Sequence, residues 1–65
     1  MSKLLELIEN RNKTIAAARA FLEAHCQEDG ALPAEHEAPY EKMEADILAL
    51  NRGIERESRL SAIER

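Results

Sequence analysis

From Tyr40 onward, apolar side chains return at alternating intervals of three and four residues: Tyr40, Met43, Ile47, Leu50 and Ile54. That spacing puts all five on one face of a helix and predicts a seam that needs a partner. A partner stands upstream, where Ile8, Ile15 and Leu22 recur every seventh residue through a stretch free of Pro and Gly. The core face predicted for this first helix is Leu4 with Leu5, Ile8, Asn12, Ile15, Ala18 with Arg19, Leu22 and Cys26. If the chain folds back at Ala31, Leu22 stands level with Tyr40, Ile15 with Ile47 and Ile8 with Ile54. Arg19 then lies beside Met43 and Asn12 beside Leu50. Three apolar pairs meet without adjustment, and a short loop keeps the closure entropy small. The expected fold is all-α, an antiparallel two-helix hairpin.

Local signals set the boundaries at a helix over about 2–27, a loop over 28–33 and a helix over 34–63, together one domain over 1–65. Ser2 is a plausible N-cap, with Glu6 and Glu9 near the positive end of the helix dipole. Asp29-Gly30 should close the first helix, glycine taking the left-handed C′ conformation at least cost. Pro33 suits the first turn of the second helix. Pro39 lacks an N–H and should disturb that helix, which is expected to be regular from Tyr40. Gly53 costs the second helix about 1 kcal/mol relative to Ala. Glu9 with Lys13 and Glu55 with Arg59 are spaced as i,i+4 ion pairs.

Some apolar surface is left over: Leu7 and Phe21 on the first helix, Leu48, Leu60 and Ile63 on the second. At 65 residues a single core is marginal, and 11 of the apolar residues are Ala. The leftover residues are therefore expected to meet another copy or another protein. A parallel two-stranded coiled coil through the second seam is less favourable, because Glu44, Asp46, Asn51 and Gly53 on its flanks give no attractive cross-pairs to an identical strand.

The formal net charge of -4 and pI near 5.1 argue against a nucleic-acid partner, whose phosphates are neutralised mainly by Lys and Arg. They fit a soluble cytoplasmic protein. No uninterrupted apolar run offers a membrane span or signal peptide, and a single cysteine forms no internal disulfide.

Candidate chemistry is sparse. His25-Cys26 and His36-Glu37 contain zinc-ligand types, but there is no CxxC, and Tyr40 stands where a second His four residues after His36 would be needed. The two histidines read as exposed residues near the loop, and Cys26 as a semi-buried thiol. Glu35, Glu37, Glu41 and Glu44 cluster where the helix dipole favours negative charge. An acid/base pair would need a dry cleft that a chain this short does not build. Arg52, Arg56 and Arg59 alternate with glutamates as on a solvated face. No catalytic, metal or cofactor site is expected, and the chain does not read as an enzyme.

Several runs carry a family resemblance: Met1-Ser-Lys-Leu-Leu-Glu-Leu-Ile-Glu-Asn-Arg, Ala20-Phe-Leu-Glu-Ala-His, the turn Asp29-Gly-Ala-Leu-Pro-Ala-Glu, Tyr40-Glu-Lys-Met-Glu-Ala-Asp-Ile, and Ile54-Glu-Arg. In this order, over nearly the whole chain, they resemble the N-terminal scaffolding segment, or delta domain, of tailed-phage major capsid proteins of the Hong Kong ninety-seven type. Pro39 departs from the helix-compatible residue expected there. The resemblance implies an extension of a shell-forming protein that associates with its own copies inside the procapsid, in the cytoplasm of a bacterial host. It also implies a capsid shell domain and a maturation protease as partners, the protease removing the segment. The seam residues would be its working parts. An alternative of another class is a free-standing hairpin adaptor or regulator, binding a different protein through Leu48, Leu60 and Ile63.

Overall fold

The computed structural model describes residues 2–64, which form two helices, α1 (Lys3–His25) and α2 (Ala34–Glu64), joined by one loop. The helices pack along their length as an antiparallel hairpin measuring 49 × 16 × 16 Å. Among the described residues there is no strand. The all-α hairpin read from the sequence is the architecture found.

The helix ends differ in detail from expectation. Ser2 occupies the N-cap position of α1, but its side chain makes no capping hydrogen bond. Its carbonyl instead accepts the Glu6 N–H at 3.2 Å. α1 ends at His25, two residues short of Gln27, because Cys26 turns extended (ψ 140°) after its N–H donates to the Leu22 carbonyl at 2.7 Å. Gly30 therefore does not cap α1. It completes a separate turn, donating its N–H to the Gln27 carbonyl at 2.9 Å, while the Gln27 N–H donates to the Ala31 carbonyl at 2.9 Å. The Asp29 carboxylate accepts the Ala31 N–H at 2.9 Å. Gly30 sits at φ 87°, in the region that favours glycine, so the Asp-Gly signal does mark the reversal, a few residues beyond the end of α1.

Pro33 lies just outside α2, and its carbonyl accepts the His36 N–H at 2.9 Å. Contrary to the expected disturbance, α2 runs unbroken through Pro39. Pro39 is exposed and lies in the second turn, where the one hydrogen bond it forfeits is to the carbonyl of Glu35, itself an exposed residue beside water. Among the described residues Lys42 pairs with Asp46 at 3.4 Å, and the His36 Nε2 lies 3.7 Å from the Glu35 carboxylate. Neither Glu9–Lys13 nor Glu55–Arg59 closes, as is common for exposed long side chains whose pairing entropy rivals the Coulomb gain.

Very little is buried. Ala18, 6 % exposed, is the only buried residue among those described. A folded monomer of this mass exposes about 4,200 Å² by mass scaling. The hairpin exposes 5102 Å².

Candidate functional site

The working surface of such a molecule is its seam and the seam's borders. On α2 the inward-facing, half-buried residues are His36, Tyr40, Met43, Ile47, Leu50, Ile54, Glu57 and Ser61, so the stripe found in the sequence is the stripe used, extended at both ends. On α1 the inward residues are Leu4, Leu7, Arg11, Thr14, Ala18, Phe21 and His25, with Ile8 and Leu22 half-buried beside them. This differs from the expected face by a turn of about one residue. Leu5 and Ile15, expected in the interface, are 48 % and 43 % exposed. Leu7 and Phe21, expected on a partner surface, point into the hairpin.

The rotation has a packing cause. α2 brings a large side chain to almost every layer, so two helices of this kind approach closely only where α1 offers small ones. Thr14 and Ala18 do so, and in return Leu7 fills the space over Gly53. A Cβ built on Gly53 would lie 3.6 Å from one Leu7 methyl carbon and 3.9 Å from the other. At the loop end Phe21 packs on His25 (ring centroids 4.6 Å apart) and edge-on to His36 (5.6 Å), while the two imidazoles stack at 3.9 Å. The histidines are thus half-buried seam residues, not exposed loop neighbours. His36 continues the spacing of the α2 stripe upstream of Tyr40, a signal present in the sequence.

Counting back from the His25–His36 stack sets Phe21 level with Tyr40, Ala18 with Met43, Thr14 with Ile47, Arg11 with Leu50 and Leu7 with Ile54. The register of α1 against α2 is shifted by one residue from the expected one, the fold-back centre lying half a residue before Ala31, and this accompanies the rotation of α1. Of the polar seam residues on α1, Thr14 and Arg11 make side-chain hydrogen bonds. The Thr14 hydroxyl donates to the Asn10 carbonyl of its own helix at 2.9 Å. The Arg11 guanidinium crosses the hairpin to donate to the Asn51 side-chain oxygen at 3.2 Å, and also donates to the Asn12 oxygen at 3.2 and 3.4 Å.

Gly53→Ala is expected to stabilise the hairpin, because the new methyl meets Leu7 at ordinary contact distance and removes a glycine from a helix interior. The gain of up to ~1 kcal/mol should raise Tm by roughly 4–8 °C in a thermal melt followed by circular dichroism.

Burial pushes the Tyr40 phenol up from its ordinary 10.0. The negative charge of Glu44 adds to the rise, and Arg19 opposes it. A raised folded-state value means that folding favours the protonated phenol. Its contribution is present below pH 10 and is lost as the pH climbs through the folded-state value. Absorbance at 295 nm should show ionisation later in the folded than in the urea-unfolded chain, and Tyr40→Phe should remove that alkaline loss.

Leu48, Leu60 and Ile63 are exposed, but not as one patch. Leu48 follows the seam residue Ile47, whereas Leu60 precedes the seam residue Ser61, so the two turn to opposite sides of α2. Leu48 borders a shallow depression with Tyr40, Glu44 and Ile47. Tyr40 and Ile47 also edge a second one, lined on α1 by Ile15, Ala18, Arg19 and Leu22. No described helix is long and apolar enough to cross a membrane, and no described group of three or more His, Cys, Asp or Glu side chains is placed to hold a metal ion. No family model, curated protein or solved structure matches the chain.

Proposed function

We propose that this chain is a capsid-assembly scaffolding segment of a phage major capsid protein, working by reversible helix–helix association inside the procapsid. The observation that carries the reading is the mismatch between ordered length and buried core. Two well-formed helices enclose one buried side chain and leave apolar residues on both borders. Such a hairpin is suited to being completed by its neighbours. The order of the sequence runs around the Asp29-Gly30 turn adds to the reading, since the capsid family carries a segment of this pattern.

The physics of the role follows from weakness. Each contact between hairpins is small enough to break, so a misplaced subunit can leave, while many copies in one shell supply avidity. On this reading the partners are other copies of the chain, the shell domain that it precedes, and the maturation protease that removes it. The setting is the interior of the procapsid in a bacterial host.

The direct test is to sequence the gene beyond the codon for Arg65. A frame that stays open for several hundred codons into a mixed α/β shell protein is the expected result. A stop codon at that point would overturn the scaffolding reading and favour the adaptor, whose partner a pull-down through the exposed Leu60 and Ile63 would then seek.

A further inference from the structure

We propose that the stacked pair His25 and His36 is a pH-sensitive latch on the loop end of the hairpin, holding the two helices together while at most one ring is charged and opening when both are. The inference is independent of the scaffolding reading, since it concerns the folding of a single chain.

Both helices build the pair at the point where they meet the loop. His25 is the last residue of α1, and His36 lies in the first turn of α2. Their rings stack at 3.9 Å with planes 23° apart, and Phe21 packs against both, at 4.6 and 5.6 Å. Both histidines are half-buried. Two neutral imidazoles, or one neutral and one charged, can share this arrangement. Two imidazolium rings cannot keep it. Like charges 3.9 Å apart lie well inside the ~8 Å screening length at physiological salt, and half-burial withholds water from the facing surfaces. Imidazole is also the side chain that ordinarily changes charge between about pH 5 and 8.

The surroundings do not cancel a second charge. One carboxylate is close, that of Glu35, 3.7 Å from the His36 Nε2. Its side chain is 78 % exposed against 27 % for His36, so water screens it more than it screens the stacked rings. On α1 and just beyond it, Glu23 and Glu28 are exposed and Cys26 is a half-buried thiol. In the loop, the Asp29 carboxylate is engaged by the Ala31 N–H at 2.9 Å. On α2, Glu37 is exposed and the Tyr40 phenol follows one turn on. The nearest Lys or Arg positions are Arg19 and Lys42, each six residues from the histidine on its helix, or ~9 Å along the axis. The helix ends act in opposite senses: the C-terminus of α1 favours a cation at His25, and the N-terminus of α2 opposes one at His36. One proton is accommodated and a second is not. The unfolded chain takes both, so in acid it binds more protons than the hairpin does. The latch's contribution is therefore present above about pH 7 and lost as the pH falls through the imidazole range.

Thermal melts followed by circular dichroism at about pH 7.5 and about pH 5.5 test this by comparing the wild type with His36→Phe. The variant keeps an aromatic ring against His25 and Phe21 but admits one charge at most. Every other titratable group is common to the two chains. The wild-type Tm is expected to fall by at least ~5 °C more than that of the variant. His25→Phe should repeat the result from the other helix. Should phenylalanine fit poorly at either position, the wild type itself answers. A nuclear Overhauser contact between the Phe21 and His36 rings, present at about pH 7.5, should be lost at about pH 5.5. Equal falls in Tm for the wild type and both variants, or a ring contact that persists in acid, would overturn the latch.

Discussion

Ile47→Asp is expected to unfold the hairpin, whereas Leu48→Asp, one residue along, should leave it folded. Ile47 lies at the middle of the α2 stripe, level with Thr14 and beside Ala18 and Leu22, and it borders both shallow depressions. A carboxylate there loses the apolar contacts and is partly desolvated, at a cost of ~3 kcal/mol that Arg19, exposed at the edge of the same depression, offsets only in part. A domain of this length has a total stability of only about 3–10 kcal/mol. Ellipticity at 222 nm should therefore fall sharply at room temperature for Ile47→Asp. Leu48→Asp places its charge on an exposed site and should change Tm by only a few degrees. In a shell protein carrying this segment, the same substitution at Ile47 should abolish or misshape procapsids. Normal shells from that variant would sink the scaffolding reading.

The contrast between neighbouring residues also shows what was legible in the sequence. On α2 it was the stripe from Tyr40 to Ile54, because a single line of large apolar residues stands among Glu, Asp, Lys and Arg, and only one rotation of the helix buries it; the polar ends His36, Glu57 and Ser61 carried no such signal. The reversal was legible too, since Asp29 and Gly30 have few uses besides a turn. On α1 the sequence held two competing stripes. Ile8, Ile15 and Leu22 are the larger and more regular line, and hydrophobicity alone selects them. What decides is shape: Thr14 and Ala18 admit the large side chains of α2, and Leu7 occupies the gap above Gly53. Such complementarity belongs to the pair of helices and has no signature in either one.

The displaced stripe is consequently informative. A helix that turns Thr14 and Ala18 inward at its middle and leaves Leu5 and Ile15 exposed keeps apolar surface outside the hairpin. On the scaffolding reading hairpin formation and association are coupled, and Tm should rise with protein concentration.

Arg11 is the seam residue whose replacement should strengthen the fold while weakening its specificity. It stands level with Leu50, where every consideration of burial favours an apolar side chain, and it bridges to Asn51 at 3.2 Å. Polar residues at a coiled-coil core position fix register at a cost in stability. Here the bridge can form only when α1 and α2 are antiparallel and in this alignment. Arg11→Leu joins Leu7 to Thr14 and Ala18 with an uninterrupted apolar line and should raise stability by roughly 1–2 kcal/mol, half of the side chain's potential gain being lost to its partial exposure. It also removes the one cross-hairpin side-chain hydrogen bond found among the described residues. The Arg11→Leu protein should therefore melt at a higher temperature yet sediment as a mixture of oligomers, with broadened amide resonances along α1. Arg11→Lys keeps the charge but not the reach of a planar donor to Asn51, and should show the loss of uniqueness without the gain in stability. A variant at position 11 that is both more stable and as uniform as the parent would show that register is set by the Leu7–Gly53 contact and the histidine stack alone.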